Sequence, residues 1–140
     1  MAAFKDFEEI IAWQQAVALA GTVHDKFKDH RDFSYKDQIR RAATSVSSNI
    51  AEGFDRGSNK DFRRFLWIAK GSCNEVRSLA WVGKRYGYLT EDELNALRTE
   101  CRLVSATTER LIKSLRMDTD IRSVAHSHRV LAGIRLVYGE

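Results

Sequence analysis

Apolar positions recur along this chain at helical spacing in four long stretches, and the longest lies between Ser58 and Gly87. There Phe62, Ala69, Val76 and Gly83 fall on one line, and Leu66, Cys73 and Ala80 on the next. Residues seven apart lie nearly above one another on a helix, so these lines share a side. Phe65, Leu79 and Tyr86 widen that side, with Ile68 and Val82 beyond them. The arc is broader than the stripe that one surface helix needs. A helix of this kind is central to a bundle, touches a second subunit, or both. Ser58 with Asp61 predicts its start, and Gly87 its end in the position after the C-cap. Gly71 and Gly83 lie inside it, each costing about 1 kcal/mol relative to Ala. Both read as positions where a neighbouring backbone presses close.

Three more helices follow from the same periodicity. The first is expected from Phe7 to Phe27 or Asp29, with Ile10, Trp13, Val17, Ala20, His24 and Phe27 as its seam and Ile11 and Ala18 beside it. The second is expected from a cap at Ser34, paired with Asp37, to a stop at Gly53. Its inward side is Ile39, Ala42, Ala43, Val46, Asn49 and Ile50. Asn49, an amide on an apolar line, needs a carbonyl or a side chain on another helix, and Glu52 is placed to join it. The fourth opens on a Thr90–Glu93 capping box. It runs through Leu94, Leu97, Cys101, Val104, Thr108, Leu111 and Leu115 to about Arg116. Four helices joined by short turns make an antiparallel up-down bundle, so the predicted fold is all-α, with residues 1–116 as a four-helix bundle. Residues 117–140 form a C-terminal extension that still carries Ile121, Val124, Leu131, Ile134, Leu136 and Val137, and we expect it to be partly ordered and helical.

Composition agrees with this picture. The chain has 140 residues, 44% hydrophobic and 30% charged, and no proline, which favours long helices over loops and sheet edges. No apolar run reaches the roughly 20 residues of a membrane span. The acidic start MAAFKDFEEII is unlike a secretory signal, so a cytoplasmic location is expected. Cys73 and Cys101 both fall on apolar lines and read as buried free thiols.

Charge changes the picture more. The net charge is +4, yet residues 56–87 alone hold eight Lys/Arg against two Asp/Glu, while residues 1–55 hold seven against nine. The basic excess therefore belongs to the third helix. Arg63, Lys70, Arg77 and Lys84 lie on one of its lines, Arg64 and Arg85 on another, and Trp67 and Trp81 between them. Such a face suggests an acidic partner, nucleic acid being the commonest; the alternative is a solvated face balanced by the acidic first helix of a neighbouring subunit. Arg40 and Arg41 on the second helix are placed to extend the surface. Trp67 and Trp81 are placed either to stack on unpaired bases or to fill a subunit interface.

Catalytic and metal-binding patterns are missing. No histidine follows a glutamate by three residues, and there is no phosphate-binding glycine loop, nucleophile elbow, HExxH or CxxC. His126 and His128 lack a third ligand at a recognisable spacing. Glu75 stands alone and is expected to pair with Arg40 or Arg41. The expectation is a non-enzyme without cofactor or metal.

Several stretches resemble a known family: Ala12-Trp-Gln-Gln-Ala16, Gln38-Ile-Arg-Arg-Ala42, Ser48-Asn-Ile-Ala-Glu-Gly53, Phe62-Arg-Arg-Phe-Leu66, Ala69-Lys-Gly-Ser72 with Glu75, and Gly87-Tyr-Leu89. In this order and spacing they are similar to the four-helix-bundle proteins encoded within bacterial 23S rRNA intervening sequences, over roughly Phe4 to Arg116. The family often carries a proline where this chain has Ser47. The resemblance implies a homopentamer shaped like a short barrel. It also implies a fold similar to the accessory variability determinant of diversity-generating retroelements, which associates with a reverse transcriptase and nucleic acid. The family has no well-defined biochemical activity, so the resemblance bears on architecture more than on task. Two functions are then expected: an RNA- or DNA-binding accessory protein, within a larger nucleoprotein complex, or a protein-interaction scaffold.

Overall fold

The computed structural model describes residues 4–116; the expected extension at 117–140, with His126 and His128, lies outside the described residues. A short 3-10 turn at Phe7–Glu9 precedes four α-helices: α1 (Ile11–Phe27), α2 (Phe33–Asp55), α3 (Asn59–Arg85) and α4 (Glu91–Arg116). Helix α3 packs between α2 and α4, and α1 closes the bundle against α2 and, more thinly, against α4. The described residues thus form the expected four-helix bundle.

The start of α1 differs from the sequence expectation. Asp6 caps the 3-10 turn, Ile10 takes extended backbone, and the α-helix begins only at Ile11. The face of α1 differs too. Ile10 and Phe27 are buried as expected, but between them the core receives Ala12, Ala16, Leu19 and Val23. Val17 is 44% exposed and His24 is exposed. Two apolar lines run along this helix, and the chosen one has small side chains in its first half, which lets a neighbouring helix come close.

Helix α2 starts two residues earlier than expected. Asp32, not Ser34, is the cap, its Oδ1 accepting from the Tyr35 N–H at 3.1 Å. At the other end Gly53 does not stop the helix, which continues to Asp55. A methyl group at Gly53 would collide with the Phe65 side chain, so this glycine is the place where α2 and α3 touch. The chain turns instead at Gly57, whose φ of +83° suits glycine. Asn49 donates to the Ser45 carbonyl of its own helix at 2.8 Å. The link across to α3 is made by Ser45, whose hydroxyl meets that of Ser72 at 2.8 Å. Glu52 stays out of this network and pairs with Arg56 at 3.0 Å.

The other helix ends follow expectation. The Asp61 N–H donates to Ser58 Oγ at the start of α3. Gly87, with φ +82°, ends it, and the Tyr88 and Gly87 N–H groups return to the Gly83 and Lys84 carbonyls, closing the last turn. Thr90 and Glu93 bond each other's backbone N–H. All seven predicted seam residues of α4 are buried. The wide apolar arc of α3 is largely covered within the chain: Phe65 and Leu79 are 6% and 8% exposed, Val82 is half-buried, and Ile68 is 41% exposed. Two flanking helices, rather than one, account for its breadth. Gly83 is a packing position, since Tyr35 occupies the space of a side chain there; Gly71 is not, because nothing of the chain approaches it.

Both cysteines are free and buried. The Cys73 thiol donates to the Cys101 carbonyl at 3.0 Å. The neighbouring Cys73 side chain, then burial, pushes the Cys101 thiol up.

Candidate nucleic-acid interface

The cations on α3 fall into two sets with different surroundings. Arg63, Lys70, Arg77 and Lys84 line the flank toward α4. Arg63 donates to the Leu115 carbonyl at 3.3 Å, capping the end of α4. Lys70 meets Glu109 at 3.5 Å and Lys84 meets Glu91 at 3.9 Å. Arg77 reaches Asn74 at 3.4 Å. The contacts of Arg63, Lys70 and Lys84 hold them along the α3–α4 seam, while Arg77 stays on its own helix. The two ion pairs are open to water, where such pairs are worth about 0–1 kcal/mol, so a polyanion can compete for them. Arg64 and Arg85 point outward and are exposed. Arg64 lies over the Phe65 ring at 4.6 Å, and Arg56 over the same ring at 5.1 Å.

Arg40 and Arg41 stand apart from this surface. Arg40 turns toward α1 and contacts His24 Nδ1 at 3.1 Å. Arg41 edges a polar cleft of about 570 Å³ shared with Asp37, Gln38, Ser45 and Glu75. Among the described residues Glu75 makes no ion pair with either arginine, although it lines the same cleft as Arg41. The structure thus gathers six of the eight predicted cations on α3 and leaves two on a separate face.

Trp67 and Trp81 are 53% and 51% exposed. Each carries a cation over its ring: Lys70 at 5.1 Å from Trp67, and Arg98 at 4.8 Å from Trp81. Arg98 belongs to α4 and was not singled out from the sequence. Its Nε is buried without a hydrogen-bond partner among the described residues. The clue was its position one helical turn after Leu94, beside the seam, which turns it toward α3.

Two other features complete the surface. Between α1 and α4 lies a groove of about 490 Å³ with Leu89, Ala96 and Leu97 in its lining and Asp25, Glu93 and Glu100 around it. Burial raises Glu100 above the ordinary carboxylate range, against the lowering effect of its bond from Thr22. At the end of the bundle, Tyr88 donates to Asp32 at 2.7 Å and this bond is the main cause holding Asp32 below its usual value. Among the described residues no group of three His, Cys, Asp or Glu is placed to hold a metal, and no helix is long and apolar enough to cross a membrane.

The fold and its basic flank define a four-helix-bundle protein with a cationic, tryptophan-bearing third helix. The chain belongs to the 23S rRNA-intervening sequence protein family, whose sequence model matches residues 8–110. Its fold is shared by a solved structure of a protein of unknown function from the S23 ribosomal protein family of Bacteroides thetaiotaomicron VPI-5482. The two are 22% identical with a TM-score of 0.70, over 74% of this chain and 99% of that one. No curated protein matches the chain significantly.

Proposed function

We propose that this protein is a non-enzymatic, cytoplasmic accessory protein that binds nucleic acid, RNA in the first instance, as a homo-oligomer. The observation that carries the reading is the run of cations along α3. Arg63, Arg64, Lys70, Arg77, Lys84 and Arg85 give one side of one helix a strong positive field, with Arg98 joining from α4. Arg40 and Arg41 serve a separate contact on α2. The homopentamer that the family resemblance implies would repeat this face around a ring, so that weak contacts in each copy add up.

Binding of this kind releases counterions and must weaken steeply with salt. Gel-shift titration of the purified protein with structured RNA should give a logarithmic affinity that falls linearly with the logarithm of salt. Arg64→Ala with Arg85→Ala should flatten that slope by about two contacts' worth. No shift of any nucleic acid at low salt would sink the proposal. The groove between α1 and α4 favours a second reading, a scaffold for a protein partner. A partner recovered equally well after nuclease treatment, with no RNA bound, would support it instead.

A further inference from the structure

We infer that α3 carries a two-point stacking site for single-stranded nucleic acid, formed by the Lys70–Trp67 and Arg98–Trp81 pairs with a low polar floor between them. This deepens the nucleic-acid reading above and rests on it.

Each pair puts a flat aromatic surface beside a positive charge, 5.1 Å and 4.8 Å away. A nucleotide offers the complement: a base with a π-face and a phosphate attached close by. Base stacking on an aromatic side chain is tolerant of sequence, and nearby cations add to it. The cation rests over the ring while the indole stays half exposed, so a surface remains for a base. A paired base inside a duplex has both faces covered by its neighbours. A ring standing on a convex helix therefore takes only an unstacked base, which selects single strands, loops and ends.

The line between the two tryptophans fits a strand. Trp67, Gly71, Asn74, Ser78 and Trp81 follow one another at steps of four and three, so they share one outward stripe. Gly71, Asn74 and Ser78 are small or polar and exposed, and a side chain at Gly71 would meet only open space. No acid interrupts the stripe; Glu75 lines the cleft toward α2 instead. The tryptophans are 14 residues apart, or about 21 Å along the helix. That distance spans about six nucleotides at about 3.4 Å each, and fewer in a stretched strand.

The site makes the length and strandedness of the ligand measurable. The probe is oligouridylate of increasing length, followed by tryptophan fluorescence in the full chain. Trp13, half-buried and packed edge-on against Phe7 at 5.1 Å, supplies a background that does not respond. In Trp67→Phe and Trp81→Phe variants the remaining exposed indole reports its own site. Oligomers of about three nucleotides should engage one tryptophan at a time. Those of about eight or more should engage both and bind markedly tighter. Trp67→Ala or Trp81→Ala should weaken the longer strand about fivefold or more, while the Phe variants keep most of the affinity. Both residues are exposed, and circular dichroism checks that the variants fold. A duplex of equal length bound as tightly as the single strand, with no effect of Trp→Ala, would overturn this site and leave general RNA binding standing. So would Trp→Ala variants whose chief change is a smaller assembly by light scattering, which would assign the indoles to a contact between copies. Absence of binding to every nucleic acid would remove the functional reading itself.

Discussion

Tyr35 shows how much one side chain settles. It is buried, its hydroxyl donates to the Leu79 carbonyl at 2.6 Å, and its ring meets Phe27 and Tyr88 edge-on. Burial, and then the neighbouring Tyr88 and Asp32, push its hydroxyl up to about 12 from 10.0. A group that holds its proton more tightly when folded stabilises the chain fully below its unfolded value. That contribution is lost as pH rises from 10.0 through about 12. Tyr35→Phe should lower stability by about 1 kcal/mol near neutrality, the usual net worth of a hydrogen bond. It should also remove part of the alkaline fall in urea denaturation midpoints. An unchanged alkaline profile would show that Tyr35 does not titrate with unfolding. Asp32 acts at the other end of the scale. Held low mainly by the bond from Tyr88, it stabilises above its unfolded value, and that contribution disappears as pH falls through its folded value. The sequence marks these residues only as aromatic and acidic. Their partners lie 44 and 56 positions away, beyond the reach of any local rule.

At the scale of the element, three glycines inside helices look alike in sequence and behave differently. Gly53 and Gly83 sit where α3 and its neighbours leave no room for a methyl group, whereas Gly71 faces open space. Gly53→Ala should destabilise the bundle by about 1–3 kcal/mol through overpacking, offset by at most about 1 kcal/mol of helix propensity. Gly71→Ala should stabilise the isolated chain by up to about 1 kcal/mol. Chemical denaturation of both variants checks the pair. If Gly71→Ala destabilises instead, the outer stripe of α3 is packed against something in the working protein. Helix α1 teaches the same lesson about faces. Periodicity predicts a seam through Trp13, Val17, Ala20 and His24; the core takes Leu19 and Val23, with Trp13 and Ala20 packed at its edge and Val17 and His24 exposed. Both lines satisfy helical periodicity, and periodicity cannot rank them. The caps, by contrast, are short-range devices. Ser58, Thr90 with Glu93, and Gly87 were all legible because each completes its bonds within a few residues.

For the whole molecule, the broad apolar arc of α3 has a simpler origin than a second subunit, since α2 and α4 cover most of it. The proposed homopentamer then stands on the family resemblance and on apolar side chains left outside: Val17 on α1, Ile68 on α3, and Leu103, 54% exposed, on α4. Light scattering should give a mass near five chains. A stable monomer at micromolar concentration would contradict the assembly and would leave each copy with a single basic face.

The chain by itself determined that there are four helices, roughly where they end, which residues of α4 are inside, and that the positive charge is concentrated on α3. These are local properties: spacing along a helix, caps that close within one turn, and composition counted over a window. Only the tertiary structure decided which of two lines on α1 turns inward, which glycines are contact points, and that Arg40 and Arg41 are separated from the other cations. It also brought Arg98 from α4 over Trp81. Each of these depends on how one helix is rotated against another, and that rotation is fixed by the packing of all four together.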